Sequence, residues 1–218
     1  MYQHRDWQGV LLDFPANKVV CVGSNYDKHR QEMDTPSTAE PVIFIKPETA
    51  LCDLCQPIFI PQELGAVHHE IELAVLIGSS LKNANEERVS QAIAGFGVAL
   101  DLTLRDLQRG FKQSGQPWEK SKAFDRSCPI SGFIPVNVFG DPQNARLSLA
   151  VNGELRQNGN TSDMLTPIIS LIGYMSRFFT LRPGDIILTG TPEGVGPLQS
   201  GDVLNVSLNE HVLTTRVI

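Results

Sequence analysis

The segment His68-His-Glu-Ile-Glu-Leu-Ala-Val-Leu-Ile-Gly78 limits what this chain can fold into, because two carboxylates head a run that is otherwise apolar. Alternate side chains of a strand share a face. Glu70 and Glu72 therefore point the same way as Ala74 and Leu76, while Ile71, Leu73, Val75 and Ile77 fill the opposite face. Such a run is too short to cross a bilayer, and being apolar on both faces it reads as a strand buried on both sides. Two like charges there are costly unless something cationic compensates them. Asp101 closes a second apolar run, Gly95-Phe-Gly-Val-Ala-Leu-Asp101, and completes an all-oxygen set. Hard oxygen donors without His or Cys select Mg²⁺, Mn²⁺ or Ca²⁺ over zinc. The competing reading is strand-end acids paired with Lys or Arg, or left in water; on these residues alone both readings stand.

Further short apolar segments read as strands: Val19 to Val22, Val42 to Ile45, Gly97 to Leu102, Leu147 to Val151, Ile186 to Leu188, Val203 to Leu208 and Val212 to Val217. Asn152-Gly153 between two of these runs predicts a tight hairpin, since Asn-Gly supplies the positive φ values of a type I′ turn, and a second hairpin is expected at Asn209-Glu210. Helical patterns are fewer. They cover Asn85 to Phe96, Arg105 to Gln113, and Thr166 to Phe179, where Thr166 can cap and Pro167 fits the first helical position. Strands outnumber helices and do not alternate with them, which predicts an α+β fold. A short N-terminal arm, residues 1–17, and one domain over 18–218 are expected.

A formal net charge of -6 with no basic run argues against nucleic-acid partners. Met1 to Gly9 lacks the apolar stretch of a signal peptide, so a cytoplasmic protein without a membrane partner is expected. Cys21, Cys52, Cys55 and Cys128 are then reduced thiols by default. Cys52 and Cys55 have the spacing of half a zinc site, which His68 and His69 could complete, or of a redox pair; but no second pair follows, and Pro47 to Pro61 reads as a loop. Two unconnected loop thiols are the simpler reading.

Two polar segments carry further chemistry. If Asn25 to Met33 is helical, His29 and Glu32 share a face at i and i+3, and a carboxylate beside an imidazole makes a general base; an exposed ion pair gives the same pattern. Pro183-Gly-Asp-Ile-Ile-Leu-Thr-Gly-Thr-Pro-Glu-Gly-Val-Gly196 runs from strand into a loop whose amides, with the Thr191 hydroxyl, could hold an anionic oxygen. It lacks the Lys-Ser/Thr ending of a nucleotide-binding loop.

Taken together, these segments resemble the fumarylacetoacetate hydrolase superfamily, in its short single-domain branch of acylpyruvases, oxaloacetate decarboxylases and oxaloacetate tautomerases. The likeness runs through Val22-Gly-Ser-Asn-Tyr26 with His29 and Glu32, Phe44-Ile-Lys-Pro47, His68 to Leu73, Asp101-Leu-Thr-Leu-Arg-Asp-Leu-Gln108, Pro117 to Asp125, and Leu188 to Gly196. It implies a layered, mixed β-sheet roll with a few flanking helices, a homodimer, and Mg²⁺ or Mn²⁺ held by Glu70, Glu72 and Asp101. It also implies Lys122 beside the metal, Lys46, Arg105, Gln108 and Thr191 as substrate contacts, and His29 with Glu32 as the base dyad of a lid helix. The chain departs from many relatives at Ser24, where they carry Arg, so no single relative's substrate range carries over.

The implied substrate is a small 2-oxo acid whose enolate the site stabilises. Carbon-carbon hydrolysis of an acylpyruvate comes first among the expected reactions. Oxaloacetate tautomerisation or decarboxylation follows, and a hydratase or isomerase of aromatic catabolism or a non-catalytic metal-binding protein are the remaining alternatives.

Overall fold

A computed structural model describes residues 2–218 and shows an α+β fold. Its largest sheet orders the strands Val42–Lys46, Val19–Gly23, Ile186–Leu188, Ile71–Ile77, Ile93–Leu100, Cys128–Ile130 and Leu51–Asp53, with Ile134–Pro135 also pairing Ile93–Leu100. The sheet is mixed: Val19–Gly23 runs parallel to Ile186–Leu188, whereas Ile71–Ile77 is antiparallel to both its neighbours. A four-stranded antiparallel sheet (Glu154–Asn160, Arg146–Val151, Val203–Leu208, His211–Arg216) packs as a second layer. A small third sheet joins Gly196–Pro197, Val67–His69 and Thr103–Leu104.

Ile71–Ile77 lies at the centre, and every one of its residues is buried. The two faces inferred from alternation belong to two different cores. Ile71, Leu73, Val75 and Ile77 pack with Val20, Val98, Leu100, Ile187 and the inward side of the second sheet; Ala74 and Leu76 pack with Val19, Cys21, Ala99, Ile186 and Leu188. Each large aliphatic side chain so buried contributes about 1.5–3 kcal/mol, which anchors the strand that begins beside Glu70.

Asn152 and Gly153 adopt φ 53 and 81, the two positive values that the hairpin requires, and the chain turns again at Asn209, φ 53. The helix expected over 85–96 stops at Ala92: Asn85 caps Glu86–Ala92 by accepting from Arg88 N–H, and the next strand begins at Ile93. The reason is close backbone approach. A Cβ on Gly95 would stand 2.7 Å from the Ile134 carbonyl oxygen, so this stretch is built to receive a neighbouring strand. The helix expected from Thr166 is Ile168–Phe178 with Pro167 at its N-cap; Thr166 does not cap it and gives its N–H to Asn25 Oδ1 instead. The loop read over Pro47 to Pro61 contains a 3₁₀ turn, Glu48–Ala50, and the strand Leu51–Asp53. Leu51-Cys-Asp53 follows a turn and ends on a charge, so it offers neither an apolar run nor an alternation to read. Among the described residues no helix is long and apolar enough to cross a membrane.

Candidate active site

The pairing of Ile71–Ile77 with Ile93–Leu100 sets the acidic cluster. Ile71 stands opposite Leu100 and Glu72 opposite Ala99, so the next step of the register brings Glu70 opposite Asp101, whose N–H donates to the Glu70 carbonyl at 2.8 Å. The three carboxylates emerge on one face, each no more than 4% exposed, with one oxygen of each within 4.8 Å of the others. Convergence of acids from two separate strands is therefore a consequence of sheet register.

Cations meet two of the three acids. Lys122, carried by the short helix Glu119–Lys122, reaches Glu70 Oε2 at 2.7 Å, Asp101 Oδ2 at 2.5 Å and Thr103 Oγ1 at 2.7 Å. Arg105, at the start of the helix Arg105–Ser114, pairs with Glu70 Oε1 and donates to Gln108 Oε1 at 2.6 Å. Lys46 approaches Asp101 Oδ1 to 2.7 Å from behind the strand layer. The basic partners raised as the competing reading are thus present for Glu70 and Asp101. Among the described residues none lies within ion-pair distance of Glu72, whose only hydrogen bond comes from Gly190 N–H at 2.6 Å.

These surroundings split the two glutamates. Burial raises the Glu70 carboxyl, but Lys122 and then Arg105 outweigh it and hold Glu70 well below the usual range. Burial, with the charges of Asp101 and Glu70 added, pushes Glu72 well above it. Burial also disfavours the Lys122 ammonium, yet Asp101 and Glu70 outweigh that and keep it protonated beyond its usual range. A buried carboxyl without a cation, beside two others and an Asp101 Oδ1 that accepts no well-directed hydrogen bond, is a donor set suited to a hard divalent ion. The residues fit such an ion.

The strand Ile186–Leu188 continues into Thr189-Gly-Thr191 along the edge of this cluster. Gly190 has φ +96, and a Cβ there would stand 2.7 Å from the Asn25 Cβ, so only glycine brings this backbone against both Asn25 and Glu72. The loop amides expected to hold an external anion serve internal carboxylates: Gly190 N–H holds Glu72, and Gly194 N–H donates to Glu32 Oε1 at 3.0 Å. Thr191 is buried and lines the pocket.

The helix Asp27–Glu32 covers the cluster and presents His29, 5% exposed, into the same pocket; His29 Nδ1 lies 3.0 Å from Glu32 Oε2. Burial raises the Glu32 carboxyl, but the hydrogen bonds from His29 and Gly194 prevail and hold it below its ordinary range. Glu32 thus stays ionised beside the imidazole and fixes its orientation. Val22, Gly23, Ser24, Met33, Phe44, Gln108, Lys112 and Trp118 complete the lining around a cavity of about 20 Å³, little more than one water would fill.

Of the residues singled out in the sequence, Glu70, Glu72, His29, Arg105, Gln108, Lys122 and Thr191 line one pocket, Asp101 joins its floor, and Glu32 backs His29. Lys46 differs. Expected as a substrate contact, it is 0% exposed, and its ammonium is taken up by Asp101, the Lys122 carbonyl and Ser127, beneath the pocket. Gln157 was missed. It is fully buried on the hairpin strand Glu154–Asn160, accepts from Ile71 N–H at 3.0 Å and donates to Thr191 Oγ1 at 2.9 Å, tying the carboxylate strand to the Thr191 loop. A lone Gln in a polar strand carries no sequence signal for this. His69 turns to Gln157 at 2.9 Å, and among the described residues Cys52 and Cys55 join no metal-like cluster with it or with His68. Burial pushes Cys52 up to about 12 and raises Cys55 as well, which suits inert thiols.

A family profile described as "Fumarylacetoacetate (FAA) hydrolase C-terminal" matches residues 18–218. The chain belongs to the fumarylacetoacetate hydrolase family. Within that family it is 67% identical over 219 residues to the oxaloacetate tautomerase YcgM of Escherichia coli, covering all of both chains. It is 43% identical over 200 residues to the human mitochondrial oxaloacetate tautomerase FAHD1, with 92% of this chain and 90% of that one covered. Its fold superposes with a TM-score of 0.92, at 37% identity and over 100% and 95% of the two chains, on a fumarylpyruvate hydrolase from Pseudomonas aeruginosa solved in complex with Mn²⁺ and pyruvate. The α+β expectation and the family resemblance are both borne out, and the chain is an enzyme of the fumarylacetoacetate hydrolase family.

Proposed function

We propose that this protein is an oxaloacetate keto-enol tautomerase that works with Mg²⁺ or Mn²⁺ held by Glu70, Glu72 and Asp101. The observation that carries the reading is His29: it is the one imidazole lining the pocket, it lies outside the acidic cluster, and it stands on a carboxylate. Tautomerisation asks for one group that takes a proton from carbon and returns it to oxygen, without an activated water or a leaving group. The full-length likeness to oxaloacetate tautomerases supports the same choice.

A divalent ion in this donor set supplies Lewis-acid stabilisation of negative charge on a 2-oxo group. The chain supplies the rest. Lys122, kept protonated by Asp101 and Glu70, adds a fixed positive charge. Arg105, steadied by Gln108, and Thr191 orient the carboxylate of the oxo acid. With Nδ1 turned to Glu32, His29 offers Nε2 to the carbon next to the oxo group, and ionised Glu32 steadies the imidazolium formed. The helix Asp27–Glu32, with His29 buried beneath it, shields that proton from water. A homodimer belongs to the same reading and is open to test by light scattering.

Acylpyruvate hydrolysis, the first expectation from the sequence, is the second reading. A cavity of about 280 Å³ next to the pocket, lined by Val42, Trp118 and Leu165 among others, could take an acyl chain, and the fumarylpyruvate hydrolase neighbour supports it. Ultraviolet absorbance separates the two: loss of enol-oxaloacetate should be accelerated by the protein with Mg²⁺ and not after chelation. Metal-dependent cleavage of acetylpyruvate with no effect on enol-oxaloacetate would reverse the order.

A further inference from the structure

Three long cationic side chains line the pocket above the acidic cluster, Arg105, Lys112 and Lys122. Arg105 and Lys122 spend their charge on Glu70 and Asp101. Lys112 has no such partner: among the described residues its ammonium pairs with no carboxylate, lies 5.2 Å from the centre of the Trp118 ring and reaches only Thr35 Oγ1, at 3.4 Å. Arg105, Gln108 and Lys112 come from one helix at i, i+3 and i+7, so they stand on one face and form a row from the buried floor to the exposed mouth. From Gln108 to Lys112 the helix rises about 6 Å, comparable to the reach of a four-carbon diacid. Ser24, which also lines this pocket and the neighbouring cavity with Lys112, carries no charge.

We propose that Lys112 determines specificity at this site by receiving the second carboxylate of a four-carbon 2-oxo diacid, so that such ligands are preferred over 2-oxo acids with an uncharged tail. The inference rests on the functional reading above for the orientation of the ligand, with the oxo-acid end at the acidic cluster and Arg105. A ligand with one carboxylate satisfies that inner end and leaves Lys112 idle. A ligand with two must place the other toward the mouth, where Lys112 is the one cation not already paired.

Calorimetric titration of the Mg²⁺-loaded full chain with oxaloacetate and with 2-oxobutanoate, which replaces the distal carboxylate by a methyl group, tests this. Lys112→Met should weaken oxaloacetate binding roughly ten- to hundred-fold and 2-oxobutanoate binding by less than about twofold, the scale of one charged hydrogen bond. Lys112→Arg should keep most of the preference. Equal weakening of both ligands by Lys112→Met, or no weakening of either, overturns the proposal. Because the readout is binding, a wild-type chain that fails to tautomerise oxaloacetate sinks the functional reading and leaves the affinity ratio to judge Lys112.

Discussion

Gln157 donates an amide hydrogen to the Thr191 hydroxyl at 2.9 Å, and the direction of that bond is set by backbone on both sides. Its Oε1 accepts from Ile71 N–H at 3.0 Å and its Nε2 also donates to the Pro192 carbonyl at 2.9 Å, so the amide has one orientation. Thr191 Oγ1 is thereby an acceptor toward Gln157, and its own proton is left for the pocket that it lines.

Gln157→Leu should therefore do two things. Leaving the Ile71 N–H and Pro192 carbonyl unpaired should cost about 1–3 kcal/mol, read from the urea midpoint. With the Thr191 rotor released, KM should rise more than kcat falls, whereas Thr191→Ser should keep KM near wild type. Stability loss with unchanged KM would leave Gln157 a purely structural residue.

His29→Ala should lower kcat by about 10²–10⁴-fold, the usual weight of a positioned general base, with Mg²⁺ affinity little altered, because His29 is not among the clustered carboxylates. Single-turnover rates and a metal titration on the same preparation check this; parallel loss of both would assign the imidazole to the metal site.

Glu72 gives a pH prediction whose sign is opposite to that of most acids. Its folded value lies above its unfolded one, chiefly through burial and then through Asp101 and Glu70. The folded chain consequently holds a proton that the unfolded chain has lost, and stability falls as pH rises from the ordinary carboxylate range through the raised value. Metal-free protein should lose thermal stability over that interval, Mg²⁺ should restore it, and Glu72→Gln should abolish both effects. Melting curves in chelator and in Mg²⁺ across pH test it; a wild-type profile indifferent to Mg²⁺ would argue against an ion at Glu72.

Lys46→Met should destabilise the fold by about 3–5 kcal/mol, since it removes a buried charge from Asp101 and two hydrogen bonds to Ser127. Urea denaturation measures this. Because its ammonium lies beneath the pocket, the folded fraction should retain its affinity for 2-oxo acids; selective loss of that affinity would return Lys46 to the substrate contacts first expected of it.

Much of this site was legible in the order of residues. Strand alternation is a property of one chain segment, so the two faces of Ile71–Ile77, the shared side of Glu70 and Glu72 and the Asn152-Gly153 turn could be read without a partner. The i, i+3 spacing of His29 and Glu32 likewise lies within six helical residues. The end of the helix at Ala92 was hidden, because the approach that stops it comes from Ile134 on another strand.

Tertiary structure alone decided the electrostatics. Lys122 lies 52 positions from Glu70, and Gln157 lies 86 from Ile71; no local pattern signals that either will arrive there. Sheet register, which depends on how whole faces bury, put Asp101 opposite Glu70, left Glu72 without a cation and sent Lys46 below the pocket. Side-chain types and local periodicity thus determined which groups were available, and long-range packing determined which charges meet, because burial and distance set their interaction and neither is a property of a single segment.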